Sequence, residues 1–327
     1  NERIEPASLT KMMTAYLTYE ALKQKRITLD QVVPVSARAW KAQGSRMFIE
    51  PNRPVTVNEL IHGMVIQSGN DACIALAELI AGTEDVFAQM MTQQAQKLGM
   101  KNTSFVNSTG LPDPKHYTTA YDMALLAAAL IRNFPEHYKL YSQKEFRYNN
   151  ITQANRNRLL WTDPYVDGVK TGHHESAGYC LVASAKREER RLISVVTGTA
   201  SEAARASESQ KLLNYAFQFY DTVRVYSKGQ TVATLRVWKG AADSLKIGFD
   251  RDLYLALPKG DSAKLKASMQ TQQPLLAPIS VGQTVATLKL ALEEKPIGEY
   301  PLLALENVSV AGFFSRGIDT IRLWFDK

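Results

Sequence analysis

The sequence predicts an α+β protein: an antiparallel sheet with helices, followed by a small all-β domain and a C-terminal amphipathic helix. Three observations carry this. After Pro6, which suits a helical first turn, Leu9, Met12, Met13, Tyr16, Leu17 and Ala21 recur at helical spacing. Two alternating segments, 178–185 and 191–199, flank the charged stretch 186–190, which is a hairpin signal. From residue 221 onward only short alternating segments recur, punctuated by glycine and proline.

The elements follow in order. Apolar periodicity places further helices near 57–66, 70–81, 84–98 and 118–132, and another over 201–220 behind the predicted hairpin. Strands are predicted at 231–238, 253–257, 284–290 and 300–308. The heptapeptide Gly-Gln-Thr-Val-Ala-Thr-Leu occurs at 229–235 and again at 282–288, the mark of two equivalent hairpins or a duplication. Two copies do not make a solenoid. In the last stretch, Val310, Phe313, Phe314, Ile318, Ile321, Trp324 and Phe325 share one helical face. Such a helix either packs on the β domain or lies in a membrane interface. The division expected is 1–221 for the helix-and-sheet domain, 222–308 for the β-rich domain and 309–327 for the amphipathic helix.

Composition bounds the function. The chain has 327 residues, 45% hydrophobic and 22% charged, which excludes disorder and collagen. Single cores stop growing near ~250–300 residues, so about two domains are expected. The longest apolar run, 123–131, is too short to cross a bilayer, which needs about 18 apolar residues. The net charge of +7 is spread along the chain without a Lys/Arg block, so nucleic acid is not an expected partner. Cys73 and Cys180 are too few for a disulfide scaffold. The five histidines lack metal-ligand spacing, and His173-His174-Glu175 is not H-E-x-x-H; no metal and no cofactor are expected. Without a signal peptide, the sequence reads as cytoplasmic or already processed.

Three short patterns carry chemistry: Ser8-Leu9-Thr10-Lys11, Ser68-Gly69-Asn70 and Lys170-Thr171-Gly172. Residues i and i+3 of a helix share a face, so Ser8 and Lys11 come within hydrogen-bond reach. A serine hydroxyl needs a base, and a lysine amine serves if burial or a second cation, for which Lys170 is the candidate, depresses its pKa. Alone, an S-x-x-K pair arises by chance about once in a chain of this size. Ser68 and Asn70 lie between predicted helices, where such residues are usually N-caps. Lys-Thr-Gly opens the strand region, where a glycine admits a substrate backbone. The plainer alternative there is an exposed strand-edge lysine beside a turn glycine.

Order and spacing give the three patterns weight, since together they form the motif set of penicillin-recognising serine enzymes. The surrounding words PASLTKMM (6–13), QSGNDAC (67–73), NRNRLLW (155–161) and VDGVKTGH (166–173) resemble the low-molecular-mass D-alanyl-D-alanine carboxypeptidases of the Gram-negative envelope. The resemblance runs from the first motif to the end of the chain. It implies a penicillin-recognising transpeptidase/β-lactamase-like catalytic domain, with the β-rich domain and a membrane anchor behind it.

The resemblance implies roles as well. Ser8 would be the acyl-enzyme nucleophile, Lys11 its proton acceptor, and Ser68 a proton carrier to the leaving D-alanine. Asn70 would bond a substrate amide, Lys170 would hold Ser68 and orient the substrate carboxylate, and Thr171 would bond that carboxylate beside Gly172. The backbone N–H groups of Ser8 and His173 would form the oxyanion hole, so neither His173 nor His174 need supply a catalytic imidazole. Arg205 matches a family arginine near the carboxylate pocket, with a solvated surface arginine as the alternative. His116 falls in a loop bordering the site. Cys73 and Cys180 read as buried, inert thiols, with a reactive Cys73 as the less favoured alternative. The implied partners are peptidoglycan stem peptides, β-lactams as covalent inhibitors and a membrane surface met by the C-terminal helix. The implied location is the periplasmic face of the inner membrane.

Two rivals share the fold. A class A β-lactamase would need an E-x-x-L-N loop between the second and third motifs, and none occurs. A non-catalytic peptidoglycan-binding scaffold would not need all three motifs intact. One departure stands out: relatives carry a strand-turn-strand segment before the nucleophile helix, whereas seven residues precede Ser8 here. The expectation is a sheet lacking those strands, or a sequence one β-hairpin short at the front.

Overall fold

The computed structural model describes residues 1–271, 273–313, 316–317, 319–320 and 322. They fall into two compact units, Asn1–Ala216 and Phe217–Lys327.

In the first unit the longer helices are α1 (Lys11–Lys23), α2 (Val57–His62), α3 (Asn70–Ala81), α4 (Glu84–Lys97) and α5 (Ala120–Asn133), with α6 (Glu202–Phe219) following the sheet. Three start where a threonine side chain accepts a backbone N–H three residues on: Thr56 from Glu59, Thr83 from Val86 and Thr119 from Asp122. Each cap satisfies a donor that the helix cannot pair itself, typically worth ~1 kcal/mol. The sheet is β1 (Val166–His174), β2 (Gly178–Arg187) and β3 (Arg190–Thr199), antiparallel and in that order, so β1 forms one edge. Helix α5 packs against β3, and the turn Ala7–Thr10 packs against β1. Leu9, Met12, Met13, Leu60, Met64, Phe87, Met91, Met123 and Leu126 are buried together in one core. Full burial of one such side chain stabilises by about 1.5–3 kcal/mol.

Two local features depart from the expectation. The helix predicted over 57–66 ends at His62 and passes into a π-helical turn, Gly63–Gln67. A short hairpin, Glu145–Tyr148 with Ile151–Ala154, was not foreseen.

The second unit is all β: β4 (Tyr220–Tyr226), β5 (Thr231–Trp238), β6 (Ser244–Gly248), β7 (Leu253–Pro258), β8 (Leu265–Thr271), β9 (Leu275–Leu276), β10 (Thr284–Leu292) and β11 (Lys295–Ala304). Six of these form one sheet in the order β8-β10-β11-β6-β5-β9, and β7 pairs with β4. The strand predicted over 300–308 is displaced: β11 ends at Ala304, and Val308 keeps only an isolated bridge to Ile279.

The repeated heptapeptide builds the same turn twice. Gln230 N–H donates to the Ser227 carbonyl at 3.1 Å, and its Oε1 accepts Ser227 N–H at 2.9 Å. Gln283 does the same with Ser280, at 3.0 and 3.2 Å. Gly229 and Gly282 hold the third position at φ +72° and +83°, the left-handed conformation that a type II turn requires there. Each turn then feeds a strand, β5 or β10, so the repeat is two equivalent hairpin entries.

The predicted amphipathic face of the tail depends on Phe314, Ile318, Ile321, Trp324 and Phe325, which lie outside the described residues. Before them, Ala311 N–H donates to the Lys239 carbonyl at 2.8 Å. Among the described residues, no helix is long and apolar enough to cross a membrane.

Candidate active site

Ser8 sits on a single 3₁₀ turn, Ala7–Thr10, that runs directly into α1 at Lys11. Lys11 Nζ lies 2.8 Å from Ser8 Oγ, the contact that i, i+3 spacing predicts. The turn is gripped by two glycines. A Cβ on Gly110 would lie 1.7 Å from the Ala7 carbonyl oxygen, and one on Gly172 would lie 3.0 Å from that of Pro6. Ala7 itself has φ +46°, an unusual conformation for a residue with a side chain.

Ser68 ends the π-helical turn in left-handed conformation, φ +68° and ψ +35°. π-turns and strained backbone both concentrate at functional sites. Neither Ser68 nor Asn70 caps α3, whose N-cap is Gly69 without a side-chain bond. The side chains have other surroundings. Ser68 Oγ is buried with no protein hydrogen-bond partner, so the hold by Lys170 that the resemblance implies is not made, and Asn70 Nδ2 donates to the Gln43 carbonyl at 2.6 Å. Asp71 accepts the N–H groups of Met47, Phe48 and Ile49 at 3.0, 2.8 and 3.2 Å, stitching that loop to the Ser68 turn.

The third motif lies within β1, on the sheet edge nearest the Ser8 turn. Lys170 is buried, not the exposed edge lysine of the plainer alternative, and its Nζ donates to the Thr171 carbonyl at 3.2 Å. Asn157 Nδ2 donates to the Gly168 carbonyl at 3.0 Å, so the 155–161 word braces the start of this strand. Arg205 on α6 is buried too, and its Nη1 donates to the Gly172 carbonyl at 3.3 Å. The surface-arginine alternative is thereby corrected.

Ser8, Ser68, Asn70 and Arg205, but neither Lys11 nor Lys170, line two cavities that share Ser8, Ser45, Arg156 and His173. The smaller, about 140 Å³, also has Ser68, Thr171, Gly172 and Arg205 in its wall. The larger, about 490 Å³, adds Asn70, Gly110 and Leu111. A third cavity of about 540 Å³, between Leu22, Ile27, Leu29 and Phe134, contains none of the motif residues. Volume alone does not mark the site; the convergence of polar groups does.

The buried amines set the electrostatics. Burial, helped by the positive charge of Arg156 and opposed by Cys73 and Asp71, lowers the Lys11 pKa to about 8. Lys170 is pushed well below its ordinary value, first by burial and then by the charge of Lys11. Two ammonium ions in one low-dielectric space repel, so one of the pair gives up its proton readily.

The histidines and cysteines play other parts. His116 Nδ1 accepts the Val106 N–H at 3.1 Å, leaving Nε2 to donate to Thr10 Oγ1 at 2.7 Å. Burial holds its pKa at about 4, so it is a neutral bracket behind the Ser8 turn. His173 stacks on Tyr179 with ring centroids 3.9 Å apart. Cys73 is fully buried, and burial pushes its thiol up to about 12, the setting of an inert thiol.

Comparison with known proteins decides the family. The D-alanyl-D-alanine carboxypeptidase profile matches residues 1–201. The chain belongs to this family. A second profile, the C-terminal domain of penicillin-binding protein 5, matches residues 220–310. The D-alanyl-D-alanine carboxypeptidase DacC of Escherichia coli is 44% identical over 335 residues, covering 100% of this chain and 84% of the relative. The structure of penicillin-binding protein 5 from Haemophilus influenzae aligns with TM-score 0.85 at 41% identity, over 94% of this chain and 91% of that one. Penicillin-binding protein D2 from Listeria monocytogenes, in an ampicillin-bound form, aligns with TM-score 0.61 at 30% identity, over 66% of this chain and 88% of that one.

The cavities of this carboxypeptidase-family chain also expose what reading the sequence missed. Arg156 lines both cavities, a role that the 155–161 word does not by itself suggest. Gly110 and the Thr109 carbonyl, which accepts from Lys11 Nζ at 2.6 Å, come from Asn107-Ser108-Thr109-Gly110. The available signal was the turn chemistry of that tetrapeptide.

Proposed function

We propose that the chain removes the terminal D-alanine from peptidoglycan stem pentapeptides as a serine-type D-Ala-D-Ala carboxypeptidase, and that β-lactams acylate it covalently. The observation that carries this is the 2.8 Å contact between Ser8 Oγ and the fully buried amine of Lys11. Neutral Lys11 takes the Ser8 proton as Oγ bonds to the carbonyl carbon between the last two D-alanines. The oxyanion is met by the backbone N–H groups of Ser8 and His173. The C–N bond then breaks, and the departing nitrogen takes its proton through the Ser68 hydroxyl. Water hydrolyses the resulting ester. A β-lactam follows the same first step, but its leaving group stays tethered.

Asn70 bonds a substrate amide. Lys170, Thr171 and Arg205 receive the substrate carboxylate, whose negative charge restores the Lys170 proton that burial discourages. The first unit is the catalytic domain, with the β-rich domain and the tail behind it. The amphipathic tail holds the protein on the periplasmic face of the inner membrane. The relatives' names and the ampicillin-bound neighbour support this reading.

The deciding experiment measures free D-alanine from a peptide ending in D-Ala-D-Ala. Release by the parent chain and none by Ser8→Ala is expected; equal release from both would sink the mechanism. Loss of residues 309–327 is expected to shift the protein from membrane to soluble fractions, and unchanged fractionation rejects the anchor.

A further inference from the structure

Glu84 is a buried carboxylate with no part in the steps above. It opens α4 with its side chain 4% exposed. Oε1 accepts both the N–H and the hydroxyl of Ser108, at 3.0 and 2.7 Å, and Oε2 accepts from Arg38 Nη2 at 2.6 Å. A carboxylate in such a place is costly unless its oxygens are occupied. Here they are occupied by the residue next to Thr109, whose carbonyl accepts from Lys11 Nζ at 2.6 Å. Ser108 is held from the opposite side as well, since Thr14 Oγ1 donates to its carbonyl at 2.7 Å. Asn107 Oδ1 accepts the N–H groups of Thr109 and Gly110 at 3.2 and 2.7 Å. The Thr109 carbonyl therefore cannot shift without breaking bonds on three sides.

We infer that Glu84 is a positioning residue for the reaction: by fixing Ser108 it sets the Thr109 carbonyl that orients the Lys11 amine toward Ser8. The inference rests on Lys11 acting as the base, as proposed above. A neutral amine has two N–H groups and one lone pair. A carbonyl that takes one N–H restricts rotation about the Cε–Nζ bond and leaves the lone pair for the Ser8 hydroxyl. Arg38, 56% exposed, balances the charge of Glu84 without touching the site.

Stopped-flow acylation by a fluorescent penicillin separates the acylation rate constant from the dissociation constant of the preceding complex. Glu84→Ala is expected to lower the rate constant about ten- to a hundredfold with the dissociation constant within about threefold, as misplacement of a reacting group does. Its pH profile should also shift to lower pH, because a carbonyl acceptor favours the charged ammonium. Glu84→Gln keeps an acceptor for Ser108 and is expected to stay within about threefold of the parent rate. Arg38→Ala, which leaves the Ser108 bonds in place, is expected to acylate at the parent rate. A folded Glu84→Ala with the parent rate and profile overturns the inference, as does an equal loss in Glu84→Gln or in Arg38→Ala. If Glu84→Ala does not fold, Glu84→Asp, whose shorter side chain withdraws the carboxylate from both Ser108 bonds, substitutes for it, and an unchanged rate there overturns the inference equally. Lys11→Ala is run in parallel. If it acylates normally, the base assignment itself falls; if it is inert while Glu84→Ala is normal, only the positioning role falls.

Discussion

Among the described residues, every buried polar or charged side chain lies between Thr10 and Ser209, whereas the core of the second unit is built from Leu235, Leu245, Ile247, Leu255, Leu288, Leu302 and similar residues. An unsatisfied buried polar group costs about 1–3 kcal/mol, so a fold keeps such groups where they are paired or put to use. In the first unit many are paired in chains that end at Lys11 or at the strand carrying Lys170, as Glu84, Ser108, Asn157 and Arg205 are. Ser68 Oγ has no protein partner, as is also true of Ser194 Oγ and Ser209 Oγ, but of these three only Ser68 lines the cavity that holds Ser8. The described residues of the second unit include no buried polar or charged side chain. What the difference teaches is that buried polarity, more than cavity size, separates the reactive unit from the supporting one.

The largest effect that tests this contrast is on pH. Ammonium Lys11 has no lone pair, so the proposed acylation needs its neutral form. With the pKa lowered to about 8, the reactive fraction rises with pH and levels off above that value. Below it, the rate constant falls roughly tenfold per pH unit. Fluorescent-penicillin acylation measured from pH 6 to 9 should show this limb. A flat profile would mean that burial of the amines does not tune the chemistry. His116, held neutral down to about pH 4, contributes nothing to the limb.

A disturbance of the apolar unit should behave oppositely. Leu245 is fully buried in the core of the second unit. Leu245→Ala is expected to destabilise that unit by about 2–5 kcal/mol, through lost burial and the cavity left behind. Denaturant unfolding of the full chain should resolve the loss, while the acylation rate at Ser8 stays at the parent value. A matching drop in acylation would show that the two cores do not act separately.

How much of this was legible follows from which atoms do the work. Ser8 with Lys11, and Ser68 with Asn70, were legible because side chains of distinct type recur at fixed spacing. The Thr109 carbonyl was not, since every residue carries one and only the fold aims it. The left-handed Ser68 and Ala7 carry no glycine to announce them. Strand β11 was misplaced because Pro296 and Gly298, ahead of the predicted start at residue 300, read as punctuation. The structure tolerates Pro296 and Pro301: β11 pairs along its length with β10, but with β6 only at Leu303 and Ala304, so the prolines sit where one edge is open. The heptapeptide repeat, by contrast, was legible as a hairpin signal and is built as one.

The smallest prediction concerns that repeat and asks whether the supporting unit is as uniform as its two turns imply. Gly229 and Gly282 have positive φ, and a Cβ on either would meet nothing within 4 Å. Alanine at each position therefore meets only the backbone penalty of the left-handed region, about 1 kcal/mol. Because the turns share the same Ser–Gln bonds, Gly229→Ala and Gly282→Ala should cost the same within about 0.5 kcal/mol, and the double variant should cost their sum. Denaturant melts of the three variants provide the check. A cost confined to one turn would break the equivalence. A double variant well above the sum would show that the two hairpin entries are coupled through the sheet rather than built independently.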